Sequence, residues 1–198
     1  MAAHYDRLAR VFDFFRAGDQ RRWGALQKEF FKGLSGQVLH VGVGTGLEIL
    51  NFPPGLRVTA VDLSRAMLKR ARPRARAYSG SFHLTLMNAE RLAFPDRCFD
   101  HAVAVCVFCS VAHPVAGLRE VHRVLKPGGR LLLFEHVLSR HPVHAFHLRF
   151  MSLFTSRLEG THLDRHTKDN VLKAGFTLES DQNVYLDIVK AMVARKAG

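Results

Sequence analysis

Three glycines spaced two residues apart, Gly42, Gly44 and Gly46, constrain the fold of this chain more than any other feature of its sequence. They follow the apolar run QVLHVGV (37–43), which predicts a buried strand. Glycine lets the backbone adopt left-handed conformations and approach a neighbour closely, so the turn predicts close contact with other backbone or with a ligand. In an open α/β sheet, ligands bind beyond the carboxyl ends of the strands, where this turn lies.

The rest of the chain alternates between strand and helix signals, which indicates a mostly parallel sheet with helices on both faces, a Rossmann-like α/β fold. Residues 5–32 carry apolar positions at helical spacing and predict one or two amphipathic helices. Further strands are predicted at 57–63, 82–89, within 98–111 and at 130–137, with helices at 65–77, 114–125 and 166–174. The last two strands, about 176–183 and 185–194, have no helix between them, so a hairpin there places one antiparallel strand in the sheet.

Composition and charge bound the class of protein. The 198 residues favour one domain, 1–198, and no apolar run approaches the ~18 to 20 residues of a membrane span. The N-terminus lacks the apolar region of a secretory signal, so a cytoplasmic location is expected. The formal net charge of +12 predicts attraction to a polyanion, either nucleic acid or an anionic membrane surface. A basic but merely solvated surface is an equal alternative.

The three cysteines suit a reducing compartment. Cys106 and Cys109 form a C-x-x-C, but the pair lies inside the apolar run AVAVCVFCSV, and no second pair follows at zinc-finger spacing. We therefore expect neither a metal site nor redox chemistry there.

The glycine turn departs from the known phosphate-binding motifs. A dinucleotide fingerprint requires a third glycine where this chain has Leu47, and the Gly-Lys-Ser/Thr of a Walker loop is absent. Asp62 ends the second strand sixteen residues after Gly46, where a carboxylate can accept hydrogen bonds from both ribose hydroxyls. A ribose acid without a diphosphate cradle favours a nucleoside-type ligand. Alternatively, Asp62 only helps to start the helix at 65.

Four ordered motifs between residues 37 and 137 carry a family resemblance. They are V-G-V-G-T-G, V-D-L-S-x-x-M-L, N-A-E-x-L-x-F-P-D-x-x-F-D and L-R-E-V-H-R-V-L-K-P-G-G. Together they resemble the class I S-adenosylmethionine-dependent methyltransferases. The resemblance implies a seven-stranded sheet with an antiparallel last strand, in agreement with the pattern at the end of the chain.

The resemblance also implies which residues contact S-adenosylmethionine. The glycine turn lies against the methionyl part, Asp62 holds the ribose, the loop after the third strand reads the adenine edge, and the end of the fourth strand lies near the sulfonium. An N-terminal Tyr-Asp-x-x-Ala segment folds over the cofactor in related enzymes, which brings in Tyr5. The implied cofactor contacts are Tyr5, Gly42, Val43, Gly44, Thr45, Gly46, Asp62, Leu63, Met67, Asn88, Ala89, Glu90 and Cys106.

Methyl transfer from a sulfonium needs a positioned acceptor, and a protonated nucleophile needs a base as well. Candidates follow the fourth and fifth strands: His113, Glu135 and His136, with Tyr5 as a fourth. Each has a structural alternative. His113 is equally an exposed loop histidine, Glu135 and His136 are slightly better explained by a buried hydrogen bond, and Tyr5 is alternatively a packing residue.

The acceptor must be selected by the N-terminal helices, 1–35, and by segment 138–165. Both mix aromatic and basic side chains, which suits an anionic membrane surface and predicts a peripheral membrane protein. Beyond the shared core, the chain resembles small bacterial phospholipid N-methyltransferases, ubiquinone/menaquinone C-methyltransferases and membrane-associated thiol methyltransferases. The acceptor favoured from these motifs is phosphatidylethanolamine, with a quinone ring or a thiol as alternatives.

Two alternative functions of a different class stay open: a nucleic-acid methyltransferase and a non-enzymatic module that binds the cofactor. Nucleic acid is the less favoured partner, because the N/D-P-P-Y/F motif of base amino-methylating enzymes is missing after the fourth strand, where Cys106 to Cys109 stand. The oligomeric state is left open.

Overall fold

The computed structural model describes residues 2–158 and 161–198; Met1 and residues 159–160, inside the predicted segments 1–35 and 138–165, lie outside the described residues. The strands are β1 (Gln37–Val41), β2 (Arg57–Asp62), β3 (Ser81–Leu86), β4 (Phe99–Val105), β5 (Leu125–His136), β6 (Thr177–Tyr185) and β7 (Val189–Arg195). They form a seven-stranded sheet in the order β3-β2-β1-β4-β5-β7-β6. The strands β1 to β5 pair in parallel, and β7 is antiparallel to both of its neighbours. The predicted fold is confirmed.

The helices are α1 (Ala2–Phe30), α2 (Arg65–Ala77), α3 (Pro114–Val124), α4 (Pro142–Leu158) and α5 (Thr167–Lys173), with a short 3₁₀ turn at Leu47–Asn51. The N-terminal segment is one continuous helix, not two. The helix α4 was not expected from the sequence, because its apolar residues do not form a stripe that faces the core. Leu148 and Ser152 are buried in it, whereas Val143 and Phe146 are exposed.

Three predicted strand boundaries are off by three residues or more: the end of β3, the start of β5, and the start of β7, which begins at Val189 after positive φ angles at Leu186 and Asp187. The strand β3 ends at Leu86, three residues early, so residues 88–90 form a loop at the sheet edge. The strand β5 begins at Leu125, before the Pro-Gly-Gly turn. Its register with β4 shifts between the pairs Phe99–Leu125 and His101–Arg130. This irregularity accommodates the extra residues of the Pro-Gly-Gly turn within the strand.

Alternate residues of β1 enter the two core layers on opposite faces of the sheet, as a parallel sheet requires. Leu39 and Val41 belong to one layer and Val38 to the other. His40 is fully buried against the rings of Phe52 and Phe82. Burial lowers the pKa of His40 to about 3, so it packs there as a neutral ring.

The glycine turn is held by close packing at its first glycine. Gly42 has a φ of +63°, and a Cβ on it would lie 2.6 Å from Cγ2 of Val107, the second residue beyond β4. The ends of β1 and β4 approach this closely because residue 42 has no side chain. The edge of the sheet where the turn lies is therefore compact around Gly42.

We expect Gly42→Ala to lower the free energy of unfolding by about 2 to 4 kcal/mol, since a left-handed alanine and a displaced Val107 both cost energy. Gly18→Ala is the matched control, because Gly18 lies in the exposed part of α1 and has no atom within 4 Å of an added Cβ. That control should raise stability by roughly 0.5 to 1 kcal/mol. Urea denaturation measures both, and equal effects would contradict the packing role of Gly42.

Candidate active site

A cavity of about 260 Å³ opens at the carboxyl ends of β1, β2 and β4. Its walls come from the glycine turn, the loops after β2, β3 and β4, and one face of α1. The structure places these predicted contacts around it: Tyr5, Gly42, Val43, Gly44, Asp62, Leu63, Met67, Asn88, Ala89, Glu90 and Cys106. Thr45 and Gly46 are buried behind the turn and do not line the cavity.

The carboxylate of Asp62 organises the cavity floor. Its Oδ2 accepts a hydrogen bond from the backbone N–H of Gly44 and its Oδ1 from that of Ser64, each at 2.8 Å. Burial raises the pKa of Asp62, and these two hydrogen bonds oppose the rise. Asp62 therefore has both roles considered above, because it helps to start α2 and still presents lone pairs to the cavity.

The geometry fits the cofactor that the resemblance implies. A Cβ on Gly44 would meet only the ring of Phe12, at 3.8 Å, so the space above the turn is open for a ligand. Asp62 supplies acceptors for ribose hydroxyls, and Met67 supplies an apolar wall for a base. S-adenosylmethionine also carries a carboxylate, which requires a cation.

Arg16 is a cationic cavity residue that the sequence analysis did not assign to the site. It lines the cavity from α1, and its guanidinium lies 5.9 Å from the centre of the Phe12 ring, one helical turn earlier. Glu48 and Asp19 lie beside it, at 4.0 and 3.1 Å. The i, i+4 spacing of Phe12 and Arg16 was a usable signal, since it places both side chains on one helix face.

Two acidic residues of α1 clamp this helix over the cavity. Asp6 accepts hydrogen bonds from the Ser64 hydroxyl at 2.5 Å and from the Ala66 N–H at 3.0 Å. Asp13 accepts from the Thr45 hydroxyl at 2.5 Å and pairs with Arg74 at 2.8 Å. The glycine turn, the start of α2 and the N-terminal helix thus form one hydrogen-bonded unit.

The predicted adenine-reading loop is ordered by its own side chains. The side-chain carbonyl of Asn88 accepts from the backbone N–H of Glu90 at 2.9 Å. Glu90 in turn accepts from the N–H of His113 at 3.0 Å. His113 is exposed at the start of α3 and does not line the cavity, so its backbone, not its ring, makes the contact described.

Glu135 lies behind the cavity wall and organises the backbone there. Its Oε1 accepts hydrogen bonds from the N–H groups of Val107 and Phe108 at 2.8 and 3.0 Å. Burial, followed by the negative charge of Cys106, raises the pKa of Glu135 to about 8. A carboxyl that is neutral at pH 7 is consistent with its second oxygen, which is buried without a partner in the described structure.

Cys106 and His136 form a close pair at the end of β4 and β5. The Sγ of Cys106 lies 3.4 Å from Nδ1 of His136. Burial alone would raise the pKa of the Cys106 thiol, but Arg16 and His136 outweigh it and lower that pKa to about 7. The negative charge of Cys106 in turn raises the pKa of His136.

Tyr5 is the fourth catalytic candidate and lines the cavity beside this pair. Burial raises the pKa of its hydroxyl, which hydrogen-bonds Ser110 and Thr161. A phenol with a raised pKa keeps its proton at neutral pH, so Tyr5 is suited to donate a hydrogen bond and unsuited to act as a base.

Comparisons with known proteins show which family the chain is similar to. The family model described as a methyltransferase domain matches residues 39–133. The ubiquinone/menaquinone biosynthesis C-methyltransferase of Pseudomonas putida is 31% identical over 100% of this chain and 85% of its own. The thiol S-methyltransferase of Rattus norvegicus is 35% identical over 74% of this chain and 63% of its own.

The chain is also similar to a third relative and to a solved structure. The phosphatidylethanolamine N-methyltransferase of Cereibacter sphaeroides is 37% identical, but over 51% of each chain. The crystal structure of an S-adenosylmethionine-dependent methyltransferase from Thermotoga maritima superposes with a TM-score of 0.71. It is 21% identical, covering 99% of this chain and 100% of that one, which shows the shared fold.

We expect Asp62→Ala to weaken the binding of S-adenosylmethionine by roughly 10- to 100-fold, since it removes charge-assisted hydrogen bonds to the ribose worth about 1.5 to 3 kcal/mol. Titration calorimetry measures the affinity, and circular dichroism checks that the variant is folded. Asp96→Ala, which removes an exposed carboxylate paired with Arg123, is the control and should bind normally. Unchanged affinity in folded Asp62→Ala would rule out the ribose role.

A second prediction concerns pH. Glu135 is protonated in the folded protein up to about pH 8, but in the unfolded chain only up to about 4.5. The unfolded chain therefore releases a proton between these values, and the free energy of unfolding should fall as the pH rises. Glu135→Gln keeps an acceptor for both N–H groups but does not titrate. The free energy of unfolding of this variant should therefore fall less steeply as the pH rises.

Urea denaturation at several pH values between about 5 and 8 tests this slope. Glu29→Gln is the control, because Glu29 is exposed on α1 and pairs with Lys32 at the surface. It should reproduce the native slope. Parallel curves for the native protein and Glu135→Gln would contradict a raised pKa.

Proposed function

The chain belongs to the class I S-adenosylmethionine-dependent methyltransferases, and we propose that its acceptor is a phenolic ring on an apolar molecule, such as a quinol precursor, taken from a membrane surface. It is an enzyme, and S-adenosylmethionine is its methyl donor. The observation that carries the proposed acceptor is the contact of Cys106, on the cavity wall, with two basic side chains: Nδ1 of His136 at 3.4 Å and the guanidinium of Arg16.

Cations at this place favour a nucleophile that becomes negative as it reacts. A phenol that loses its proton becomes a phenolate, and the negative charge it shares with its ring makes the ring carbons nucleophilic. Arg16 and His136 stabilise such a charge, whereas they disfavour the ammonium group of phosphatidylethanolamine, which the sequence motifs favoured. A thiolate has the same charge as a phenolate, so a thiol is the second candidate acceptor.

The bound cofactor supplies an electrophilic methyl group on a sulfonium. The chain's own residues position the acceptor and handle its proton. In this proposal the Cys106–His136 pair receives the phenolic proton, because Cys106 lines the cavity, its thiol has a pKa lowered to about 7, and Nδ1 of His136 lies 3.4 Å from its sulfur. Tyr5 keeps its proton and donates a hydrogen bond to the phenolate oxygen. The helix α1 covers the cavity and excludes water.

Segment 138–165 is anchored to the cavity wall, which supports its role in admitting the acceptor. The N–H of His162 donates to the carbonyl of Cys109 at 2.9 Å, and Arg165 donates to the carbonyl of Val111 at 3.1 Å. Ser110 and Thr161 bring their hydroxyls to 3.4 Å. Residues 161–165 therefore pack against the same stretch of chain that lines the cavity.

The outer face of α4 supports approach to a membrane. Phe146, Phe150 and Phe154 are each more than half exposed, and Arg149 is exposed among them. Aromatic and basic side chains in this arrangement suit insertion at an anionic lipid surface. Within residues 2–158 and 161–198, no helix has the length and apolarity to cross a bilayer. The proposed contact is therefore at the surface of the membrane.

The comparisons support the ring acceptor above the other two. The relative named as a quinone C-methyltransferase matches this whole chain, including α1 and segment 138–165. The relatives named for thiols and for phosphatidylethanolamine match 74% and 51% of it. Since the shared core binds the cofactor, a match outside the core bears more directly on the acceptor.

Labelled S-adenosylmethionine tests the acceptor directly. Vesicles that contain a reduced demethylated quinol, vesicles that contain phosphatidylethanolamine, and a long-chain alkyl thiol are offered in separate reactions. We expect label in the quinol ring. Label in the amine lipid alone, or in the thiol alone, would overturn the phenolic acceptor while leaving the enzyme class intact.

The membrane contact is tested with the same reaction. Phe146→Ser combined with Phe150→Ser should lower transfer from vesicles at least about 10-fold, because two buried aromatic contacts with lipid are lost. Transfer to detergent-dispersed quinol should be unchanged. Leu172→Ser removes a half-exposed apolar side chain from α5 and is the control. An equal loss with both presentations of the quinol would contradict membrane docking by α4.

A further inference from the structure

The two cysteines that the sequence placed together in an apolar run have different environments in the structure. Cys109 is 1% exposed, and its sulfur lies against the Ser110 hydroxyl. Cys106 follows the end of β4 with a φ of +52°, an uncommon conformation for a residue other than glycine. Its side chain forms part of the cavity wall. The structure therefore places Cys106 at the cavity, where the sequence analysis put it, and Cys109 in the core.

The neighbours of Cys106 favour its ionised form. Nδ1 of His136 is 3.4 Å from the sulfur, and the guanidinium of Arg16 hydrogen-bonds it from α1. The nearby acid, Glu135, directs one oxygen to the amides of Val107 and Phe108. With the pKa of its thiol near 7, about half of Cys106 is thiolate at neutral pH.

We propose that Cys106 is an oxidation site for hydroperoxides, and that its conversion to sulfenic acid reversibly stops methyl transfer. The site combines a histidine at hydrogen-bonding distance, an arginine for negative charge and a cavity that admits a small oxidant. Nothing in this proposal depends on which acceptor the enzyme uses. It goes beyond the proposed function, and its test is independent of the test of the acceptor.

The reaction balances with hydrogen peroxide as the oxidant. The thiolate sulfur attacks one peroxide oxygen, an S–O bond forms and the O–O bond breaks. The sulfur is oxidised by two electrons and the peroxide is reduced, with hydroxide as the leaving group. His136, as imidazolium, gives its proton to the hydroxide, so the products are a sulfenic acid, water and neutral His136. A reducing thiol reverses the oxidation through a mixed disulfide.

The effect on function follows from the position of the sulfur. Cys106 shares the cavity with Gly42 and Asp62, so an oxygen added to its sulfur occupies space beside the cofactor. The other two thiols are poor targets. Burial raises the pKa of Cys98, and burial and Glu135 raise the pKa of Cys109 well above its ordinary value. Protonated thiols react slowly with peroxides.

The test treats the full chain with hydrogen peroxide and traps sulfenic acid with dimedone. Peptide mass spectrometry then locates the adduct. We expect at least about 10-fold more label on Cys106 than on Cys98 or Cys109, in line with their thiolate fractions. S-adenosylhomocysteine should protect the site. Equal labelling of all three cysteines, or label mainly on Cys109, would overturn the proposal.

A second measurement tests whether oxidation weakens cofactor-site binding, and it needs no methyl acceptor. Calorimetric binding of S-adenosylhomocysteine should weaken at least about 10-fold after peroxide, and dithiothreitol should restore it. Dithiothreitol does not reduce methionine sulfoxide, so this recovery separates Cys106 from Met67, which also lines the cavity. Labelled Cys106 with unchanged affinity would overturn the control of function by oxidation.

Variants distinguish the contribution of the Cys106 thiol from that of its neighbour His136 and of the other two cysteines. Cys106→Ser should lose the label, and peroxide should not change the affinity of this variant for S-adenosylhomocysteine. His136→Asn should slow labelling of Cys106. The Cys98→Ser, Cys109→Ser double variant keeps Cys106 as its one cysteine and should label as the native protein does. If Cys106→Ser does not fold, this double variant decides the question, and failure to label it would overturn the proposal.

Discussion

The carboxylate of Asp62 is the point on which the geometry of the site depends. It accepts backbone N–H groups from the glycine turn after β1 and from the start of α2, so it joins two neighbouring connections at one edge of the sheet. Gly42 contributes to this arrangement, since close packing against Val107 leaves no room for a side chain at residue 42. A buried carboxylate with two fixed donors is ordered before any ligand binds, and cofactor binding costs correspondingly little reorganisation.

The N-terminal helix converts this edge into an enclosed cavity. Asp6 and Asp13 bind the same turn and the same helix start that Asp62 organises, which couples α1 to the cofactor site by hydrogen bonds. Because the clamp also positions Arg16 beside Cys106, the helix that covers the cofactor sets the charge of the reaction site. Cofactor binding and acceptor chemistry in this enzyme thus share one structural element.

The end of β5 has divided roles. Glu135 holds the backbone after β4 from behind the cavity, and its neighbour His136 contacts the sulfur that lines the cavity. Adjacent residues of a strand point to opposite faces, which explains why one is a support and the other faces the reactive groups. From the sequence, Glu135 and His136 could not be told apart, because both were polar residues at the end of the same predicted strand.

The sequence by itself determined the fold and many of the residues that line the cavity. Strand and helix periodicity reports burial directly, and the positions of Gly42, Asp62 and Asn88 are local consequences of strand ends. Tertiary structure alone decided the rest. Arg16 enters the site because α1 packs over a turn distant in sequence. The helix α4 has no core-facing stripe to reveal it. Cys106 lies at the cavity and Cys109 in the core, and Cys106 itself adopts the left-handed conformation after β4. Charge and reactivity depend on contacts between distant segments, which no local pattern records.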